Sequence, residues 1–478
     1  MRKTVIVGGG ITGLATALYL HEHAANAVSY TLLESSTRWG GKMLTTHQDG
    51  FLAEGGPDSF LAQKPEMLEL CRRLGLEDEL IGSNTTKGPS TFVLSKNKLH
   101  AMPEGMMLMA PTMIMPFLRT RLISWWGKLR MGLEIFVPKP KEVTDESLGS
   151  FVRRRLGKEA LDKIAAPLMA GIHSADPERL SLRSTFPIFS EMEKTHGSLL
   201  RAMTKKKKKQ PAGKSPMFLS FKDGIETLSQ AIVKRLDPNA LRLNCGVHSV
   251  TGGSSQFCVE LNDGSRLYAD DVIFATPAYV TARLLRDLDP SLAASLNEIP
   301  YASTATVSLG YKRSEIGAQL NGFGFVVPSQ EGRKINACSW SSQKFSFRAP
   351  EDGVLLRAFL GGACAPGLAE HDEQTLLALA RYELQEIMGI TATPILTKVS
   401  RWIKGNPQYE VGHAERVAEI AHILTFHPGL HLAGSAYSGS GMPDCIQSGV
   451  RAASAVISRK TSEEIHRNVE TAALAGQA

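Results

Sequence analysis

"IVGGGITGLATALYLHEHA", residues 6–24, sets three consecutive glycines between an apolar run and a stretch rich in alanine and leucine. The pattern predicts a strand over 4–7 and a helix over 13–23. Leu14, Ala17 and Leu18 share one face at i, i+3, i+4 spacing, with His21 as a polar end. A second strand over 29–33 ends at Glu34, so the chain opens as a βαβ unit of a parallel sheet. In Gly8-x-Gly10-x-x-Gly13, the first glycine permits the tight turn and the second lets backbone approach a pyrophosphate. The third lets the helix pack closely on the strand. The helix start adds unpaired N–H groups and a partial positive charge for phosphates. Glu34 follows at about the 20-residue spacing that suits a carboxylate on ribose hydroxyls.

The bulk numbers bound the rest. With 478 residues, 43% apolar and 21% charged, the chain is a globular protein of two or three domains with a sizeable core. Cys71, Cys245, Cys258, Cys338, Cys364 and Cys445 are scattered singly, with no metal-ligand spacing. They read as reduced thiols in a cytoplasmic protein without a metal site. Arg2 and Lys3 lead straight into the strand, and no secretory leader is read there. The longest apolar segment, 106–126, is interrupted by Pro111, Pro116, Arg119 and Arg121, so it falls short of a membrane span. It either lines a cavity or lies peripherally on a membrane. Net charge is +7 and the pI about 9.0, yet no nucleic-acid motif accompanies them. The lysine run 205–209 reads as a solvated loop, with attraction of an anionic substrate or membrane as the alternative.

Helical patterning occupies about 102–200. Strands return near Arg242, and "FCVELNDGSRLYADDVIFATP" alternates about Asn262-Asp263-Gly264-Ser265, a hairpin, before a buried strand over 271–275. A β-rich stretch covers about 302–360. The closing unit, "LHLAGSAYSGSGMPDCIQSGVRAASAVI", is again strand, glycine loop and helix. Pro443 suits the first helical turn, placing the start near Met442, and Ile446, Val450, Ala453 and Ile457 share a face. The expected fold is α/β (α+β overall). It has a Rossmann-like cofactor domain from discontinuous segments 1–60, 220–282 and 428–460. A β-rich substrate domain takes 61–98, 200–219 and 283–427, a mainly helical module 99–199, and a tail 461–478.

"ESSTRWGGK", 34–42, resembles the E-x-x-x-R-x-G-G-K/R/W extension of flavin-containing amine oxidases. Arg38 and Lys42 would meet phosphates, and Gly40 and Gly41 let backbone pass close to the cofactor. The start of the last helix would favour negative charge at a flavin's pyrimidine edge, an effect of roughly 1–2 kcal/mol. Cys445 lies inside that helix, in a local sequence unlike that of covalently linked relatives, so non-covalent FAD is expected.

Together "GGGITGLATALYL", "ESSTRWGGK", "AEGGPDSF", "APLMAGIHSADPERLSLRSTFP", "NPQYEVGH" and "SGSGMPDCIQSG" resemble the porphyrinogen oxidases across nearly the whole chain. The likeness is closest to the soluble form of Gram-positive bacteria. The resemblance implies an FAD domain, a substrate domain and a helical domain that contacts membrane in mitochondrial members. It also implies removal of six hydrogens from a porphyrinogen, with three O₂ reduced to three H₂O₂, in heme biosynthesis. Hydride would pass from a meso carbon to flavin N5; no residue stands out as general base. Coproporphyrinogen III is the expected substrate, protoporphyrinogen IX the alternative. An amine oxidase or carotenoid-type desaturase, and a non-enzymatic tetrapyrrole-binding protein, are the other readings. A transient contact with the next heme-pathway enzyme is a further implied partner.

Carried over by motif, the cofactor residues are Gly8, Gly9, Gly10, Ile11, Thr12, Gly13, Glu34, Ser35, Arg38, Gly41, Lys42, Gly56, Pro57, Asp58 and Ser59. Val247 would meet adenine through its backbone, and Trp402, Ser440, Gly441 and Met442 would lie beside the flavin. Gly171 matches a glycine whose carbonyl faces the tetrapyrrole; His173, Lys64 and Arg153 are substrate candidates by charge and neighbourhood. Asp58 stands where mitochondrial members carry an arginine, and a second family arginine aligns near Met107. The substrate must therefore be held differently here.

Overall fold

A computed structural model of the chain describes every residue except 25, 85–90, 108, 112, 141–143, 208–215, 254–255 and 460–478. Lys205 to Lys207, expected in a solvated loop, instead end helix Leu199–Lys207; the rest of the lysine run and the expected tail lie outside the described residues. The first strand is Arg2–Val7 and the first helix Ile11–His23, begun by Gly10 in an extended conformation. Strand Val28–Leu33 follows, as the pattern predicts.

These strands belong to a five-stranded parallel sheet ordered Leu241–Arg242, Val28–Leu33, Arg2–Val7, Asp271–Phe274, Leu430–Leu432. Three distant parts of the chain thus meet side by side. Both faces are apolar, as a parallel sheet requires. Ile6 and Leu32 pack beneath Leu14 and Leu18 of the first helix and Ile446, Ala453 and Val456 of the last helix, Met442–Ser458. Val5, Val7, Val272 and Phe274 face the opposite core, shared with an antiparallel three-stranded meander (Val247–Gly253, Gln256–Leu261, Arg266–Ala269). Its second turn falls at Asp263-Gly264, where Gly264 takes φ +83 and Asp263 accepts from Ser265 N at 2.9 Å. The first and last helices touch closely: a Cβ at Gly449 would stand 2.5 Å from the Thr12 carbonyl oxygen.

A second, seven-stranded sheet runs Leu396–Pro407, Tyr301–Lys312, Gly353–Gly361, Ile335–Trp340, Gly324–Val326, Phe92–Ser95, Lys98–Ala101. Alternation divides its faces. Ala305, Val307 and Leu309, with Leu356 and Ala358, pack against Leu376, Ala380 and Leu384 of helix Glu373–Met388. Thr306, between them in sequence, faces the Gly55–Ser59 loop and donates to the Gly55 carbonyl at 3.1 Å.

Short helices between Ile114 and Lys207 build a third core around Phe151, Ile164, Leu182 and Phe189, joined by Val93, Val326 and Ala337 of the large sheet. Arg155 sits fully buried in this part, 3.1 Å from Glu134 and 2.6 Å from Glu193, and also donates to Val137 and Gly197 carbonyls. The 106–126 segment divides. Phe117, Leu122 and Ile123 turn inward, whereas Trp125 and Trp126 are 72% and 80% exposed. Among the described residues no helix is long and apolar enough to cross a membrane.

Candidate functional site

The glycines after the first strand differ in what surrounds them. Gly8 has φ +110, and a Cβ there would stand 2.8 Å from the Ala275 carbonyl oxygen. A Cβ at Gly13 would reach 1.9 Å from the Gly8 carbonyl oxygen, which only glycine avoids. Gly9 is covered by the Trp39 ring. Gly10, by contrast, has open space around it, and no side chain caps the helix that it begins. The first-turn N–H groups at Ile11, Thr12 and Gly13 therefore lack a side-chain acceptor at the carboxyl end of the sheet, where a parallel α/β sheet binds its ligand.

Glu34 ends the neighbouring strand and ties this corner together. One carboxylate oxygen accepts from Gly9 N at 2.7 Å, the other from Ser36 N at 2.8 Å, with Ser35 Oγ at 3.4 Å. The Glu34 carbonyl accepts from Cys245 N at 2.9 Å, bringing the start of the meander, with the buried Val247, alongside. Gly41 crosses Gly10 so closely that a Cβ on it would stand 3.1 Å from the Gly10 Cα.

Two cations expected at phosphates are turned elsewhere. Arg38 donates to the Trp39 carbonyl at 3.2 Å, the Met43 carbonyl at 2.9 Å and the Gly41 carbonyl, and lies 3.8 Å from Glu226. It staples its own loop. Lys42 donates to the Gly405 carbonyl, and burial lowers its pKa even with the Cys445 thiol nearby. The reason in both cases is local: glycine-rich loops expose carbonyls, and buried carbonyls take the nearest donors.

The Gly55–Ser59 loop enters between the two sheets. A Cβ at Gly56 would stand 2.0 Å from the Lys42 carbonyl oxygen, so the loops lie against each other. The Gly55 carbonyl accepts three bonds, from Thr306 Oγ1 at 3.1 Å, Arg357 Nη2 at 3.1 Å and Trp402 Nε1 at 2.8 Å. After Pro57, Asp58 pairs with Lys344 at 2.9 Å and accepts from Ser59 Oγ at 2.6 Å. Burial would raise the Asp58 pKa, but Lys344 and Arg357 outweigh it and hold the carboxyl well below the usual range. Asp58 therefore anchors the loop to the large sheet. Next to it, burial pushes the Glu54 carboxyl up to about 7, against bonds from Thr45 and Ile225 N and the charges of Arg348 and Arg357.

Ser440, Gly441 and Met442 begin the last helix, again with no side-chain cap. The loop before it is held by Tyr409, whose hydroxyl donates to the Ser435 carbonyl at 2.6 Å and accepts from Gly439 N at 2.8 Å. Tyr409 stacks on His413 with centroids 4.1 Å apart. In this way "NPQYEVGH" supports the start of the last helix. Lys64 pairs with Asp444 at 2.7 Å in a polar cleft of about 220 Å³ that also meets Ser438 and Arg451.

Gly171 and His173 lie in helix Ala166–His173. The former faces Val326 and Ala337 of the large sheet; the latter stands edge-on to Phe186 at 5.4 Å, with its pKa lowered by burial. Arg153 is not with them: it pairs with Glu178 and is half exposed. Its triple-arginine sequence gave charge but not direction. Thr306, Lys344, Arg357 and Tyr409 went unread as site residues, although a charge centred in "GVLLRAFLGG" marked Arg357 as anomalous. All six cysteines are free, and no cluster suited to a metal occurs among the described residues.

Two uncapped helix starts, a carboxylate at the end of the second strand and glycines that admit backbone contact are features that fit a diphosphate-bearing cofactor. The chain belongs to the flavin containing amine oxidoreductase family, whose model matches residues 11–457; it is a flavin-dependent oxidoreductase. It is 36% identical to the coproporphyrinogen III oxidase of Bacillus subtilis (strain 168), over 95% of this chain and 97% of that one. It is 35% identical to the coproporphyrinogen III oxidase of Staphylococcus aureus (strain NCTC 8325 / PS 47), over 96% of this chain and 99% of that one. A crystal structure from Exiguobacterium sp. 255-15, provisionally assigned as a protoporphyrinogen oxidase, superposes with a TM-score of 0.85 at 32% identity. The match covers 95% of this chain and 98% of that one.

Proposed function

We propose that this chain is an FAD-dependent oxidase of coproporphyrinogen III. It removes six hydrogens to yield coproporphyrin III while three O₂ become three H₂O₂, a step of heme biosynthesis. The observation that carries the reading is near-complete coverage, at over a third identity, of relatives named for that reaction. The FAD is held non-covalently, because Cys445 lies within the last helix with a buried thiol whose pKa is pushed up to about 11. Bound FAD supplies the two-electron acceptor and passes electrons to O₂. Glu34 and Ser35 take the ribose, Gly8 to Gly13 and Gly41 the diphosphate, and Val247 the adenine. Gly56, Pro57, Ser59, Trp402 and Ser440 to Met442 border the ring. Arg38, Lys42 and Asp58 serve by fixing the loops that carry the others. Gly171, His173 and Lys64 face the substrate.

The division into a cofactor domain, a β-rich substrate domain and a helical module is part of this proposal, with Met67, Leu70, Cys71 and Leu76, expected in the substrate domain, packed instead in the core beneath the first helix. Protoporphyrinogen IX is the second reading, favoured by the assignment of the Exiguobacterium structure. Exposed Trp125, Trp126, Leu129 and Phe136 on the helical module support a weak peripheral membrane contact beside cytoplasmic function. Contact with the next heme-pathway enzyme stands as a proposal from the resemblance alone. The test uses purified protein: flavin absorbance, with coproporphyrin fluorescence and peroxide rising in a one-to-three ratio, supports the proposal. Amine turnover without porphyrinogen turnover defeats it. Sedimentation with anionic liposomes, and failure of a Trp125→Glu/Trp126→Glu variant to pellet, tests the membrane contact.

A further inference from the structure

Arg357 is a buried cation without a carboxylate of its own. It lies in the middle of strand Gly353–Gly361, opposite Ser308 on one side and Ser339 on the other, and is 3% exposed. Its Nη2 donates to the Gly55 carbonyl at 3.1 Å and the Gly56 carbonyl at 2.5 Å, and its guanidinium stands 4.9 Å from the Phe359 ring centre. Its Nε is buried with no hydrogen-bond partner among the described residues. The nearest acids are otherwise engaged, Asp58 by Lys344 and Glu54 by Thr45 Oγ1 and Ile225 N. Arg155, equally buried, shows the usual solution, with two carboxylates at hydrogen-bond distance.

Buried charge is normally paired; Arg357, like the buried Arg348, meets neutral oxygens instead, and Asp58 acts on it through its charge without a hydrogen bond. The carbonyls that Arg357 grips open the loop that carries Pro57 to Ser59. Thr306 and Trp402 bind the same Gly55 oxygen. The loop therefore keeps two neutral anchors if the guanidinium is removed, and charge is separable from grip.

We propose that Arg357 is a positioning residue of the oxidase: it fixes the Gly55 and Gly56 carbonyls and supplies positive charge that favours the reduced flavin. The inference rests on the reading above that the 56–59 loop borders the flavin. Positive charge beside the ring lowers the cost of the electrons that it accepts, so its loss lowers the potential and slows substrate oxidation without weakening substrate binding.

The test compares Arg357→Gln and Arg357→Lys holoenzymes with the parent in flavin midpoint potential, FAD dissociation constant, and kcat and KM for coproporphyrinogen III. The glutamine variant is expected to show kcat at least tenfold lower with KM within about twofold. Its potential should fall by about 30 mV or more, the equivalent of a tenfold change in a two-electron equilibrium. The lysine variant, which keeps the charge but not the two-carbonyl grip, should keep the parent potential while releasing FAD severalfold more readily. A glutamine variant with the parent's potential overturns the proposal. So does an equal fall in both variants, which would make Arg357 a packing residue. If the glutamine variant does not fold, the lysine variant decides: parent potential supports the inference and a lowered one ends it. A parent enzyme that binds flavin but ignores porphyrinogens would refute the substrate reading and leave the comparison of potentials intact.

Discussion

Glutamine at Glu54 should change how stability depends on pH, and the structure sets the size and the sign. Glu54 is 5% exposed and accepts from Thr45 Oγ1 and Ile225 N, each at 2.8 Å. Burial outweighs those bonds and the charges of Arg348 and Arg357, and raises the carboxyl from 4.5 to about 7. Between those values the folded protein holds a proton that the unfolded chain has released, so stability falls as pH rises. At about 1.4 kcal/mol per pH unit, the gap is worth about 3 kcal/mol. The contribution is complete below pH 4.5 and lost as pH passes through 7. Glu54→Gln keeps one oxygen to accept from Ile225 N, while its amide NH2 donates to Thr45 Oγ1 as the protonated acid can, and it does not titrate. It should match the parent near pH 4.5 and become the more stable protein by a few degrees in Tm above pH 7. The assay is thermal unfolding of parent and variant at half-unit steps from pH 4.5 to 8, read as a difference so that shared titrations cancel. A difference in Tm that stays constant across that range would refute the reasoning.

Other outcomes follow from single contacts. Glu34→Ala removes an acceptor from Gly9 N and Ser36 N. At about 1.5–3 kcal/mol for a bond to a charged group, FAD dissociation should rise at least tenfold, and fluorescence quenching on reconstitution of apoprotein measures it. Gly13→Ala puts a methyl 1.9 Å from the Gly8 carbonyl oxygen, a backbone atom with no room to yield. It should lose FAD and most folded protein, and a yellow variant with the parent's Tm would contradict the close helix–strand packing. Arg155→Met leaves Glu134 and Glu193 buried without their shared cation. A loss of about 3–5 kcal/mol is expected, seen as proteolysis beginning in the helical part.

What was legible in the sequence was local. The glycine spacing and 3.6-residue periodicity located the first helix within two residues of Ile11, and Pro443 located the last at Met442. The Asn262–Ser265 turn gave the hairpin of Gln256–Leu261 and Arg266–Ala269, though not the third strand, Val247–Gly253, that makes it a meander. Pairings between distant segments left no such trace. Phe92 lies beside Phe325 in the large sheet, a neighbour that no periodicity announces. Lys42 and Arg153 looked available because folding supplies their partners, the Gly405 carbonyl and Glu178, whereas Arg38 turns back on carbonyls of its own loop, at Gly41 and Met43. Arg357 was the reverse, a single charge in an apolar strand that only the arrival of the Gly55 loop explains.

The most direct measurement is the initial rate of oxygen consumption by the purified, flavin-loaded protein on coproporphyrinogen III and protoporphyrinogen IX under identical conditions. The account predicts faster turnover of coproporphyrinogen III, with three O₂ consumed for each coproporphyrin formed. Preference for protoporphyrinogen IX, or oxidation of neither, would contradict it.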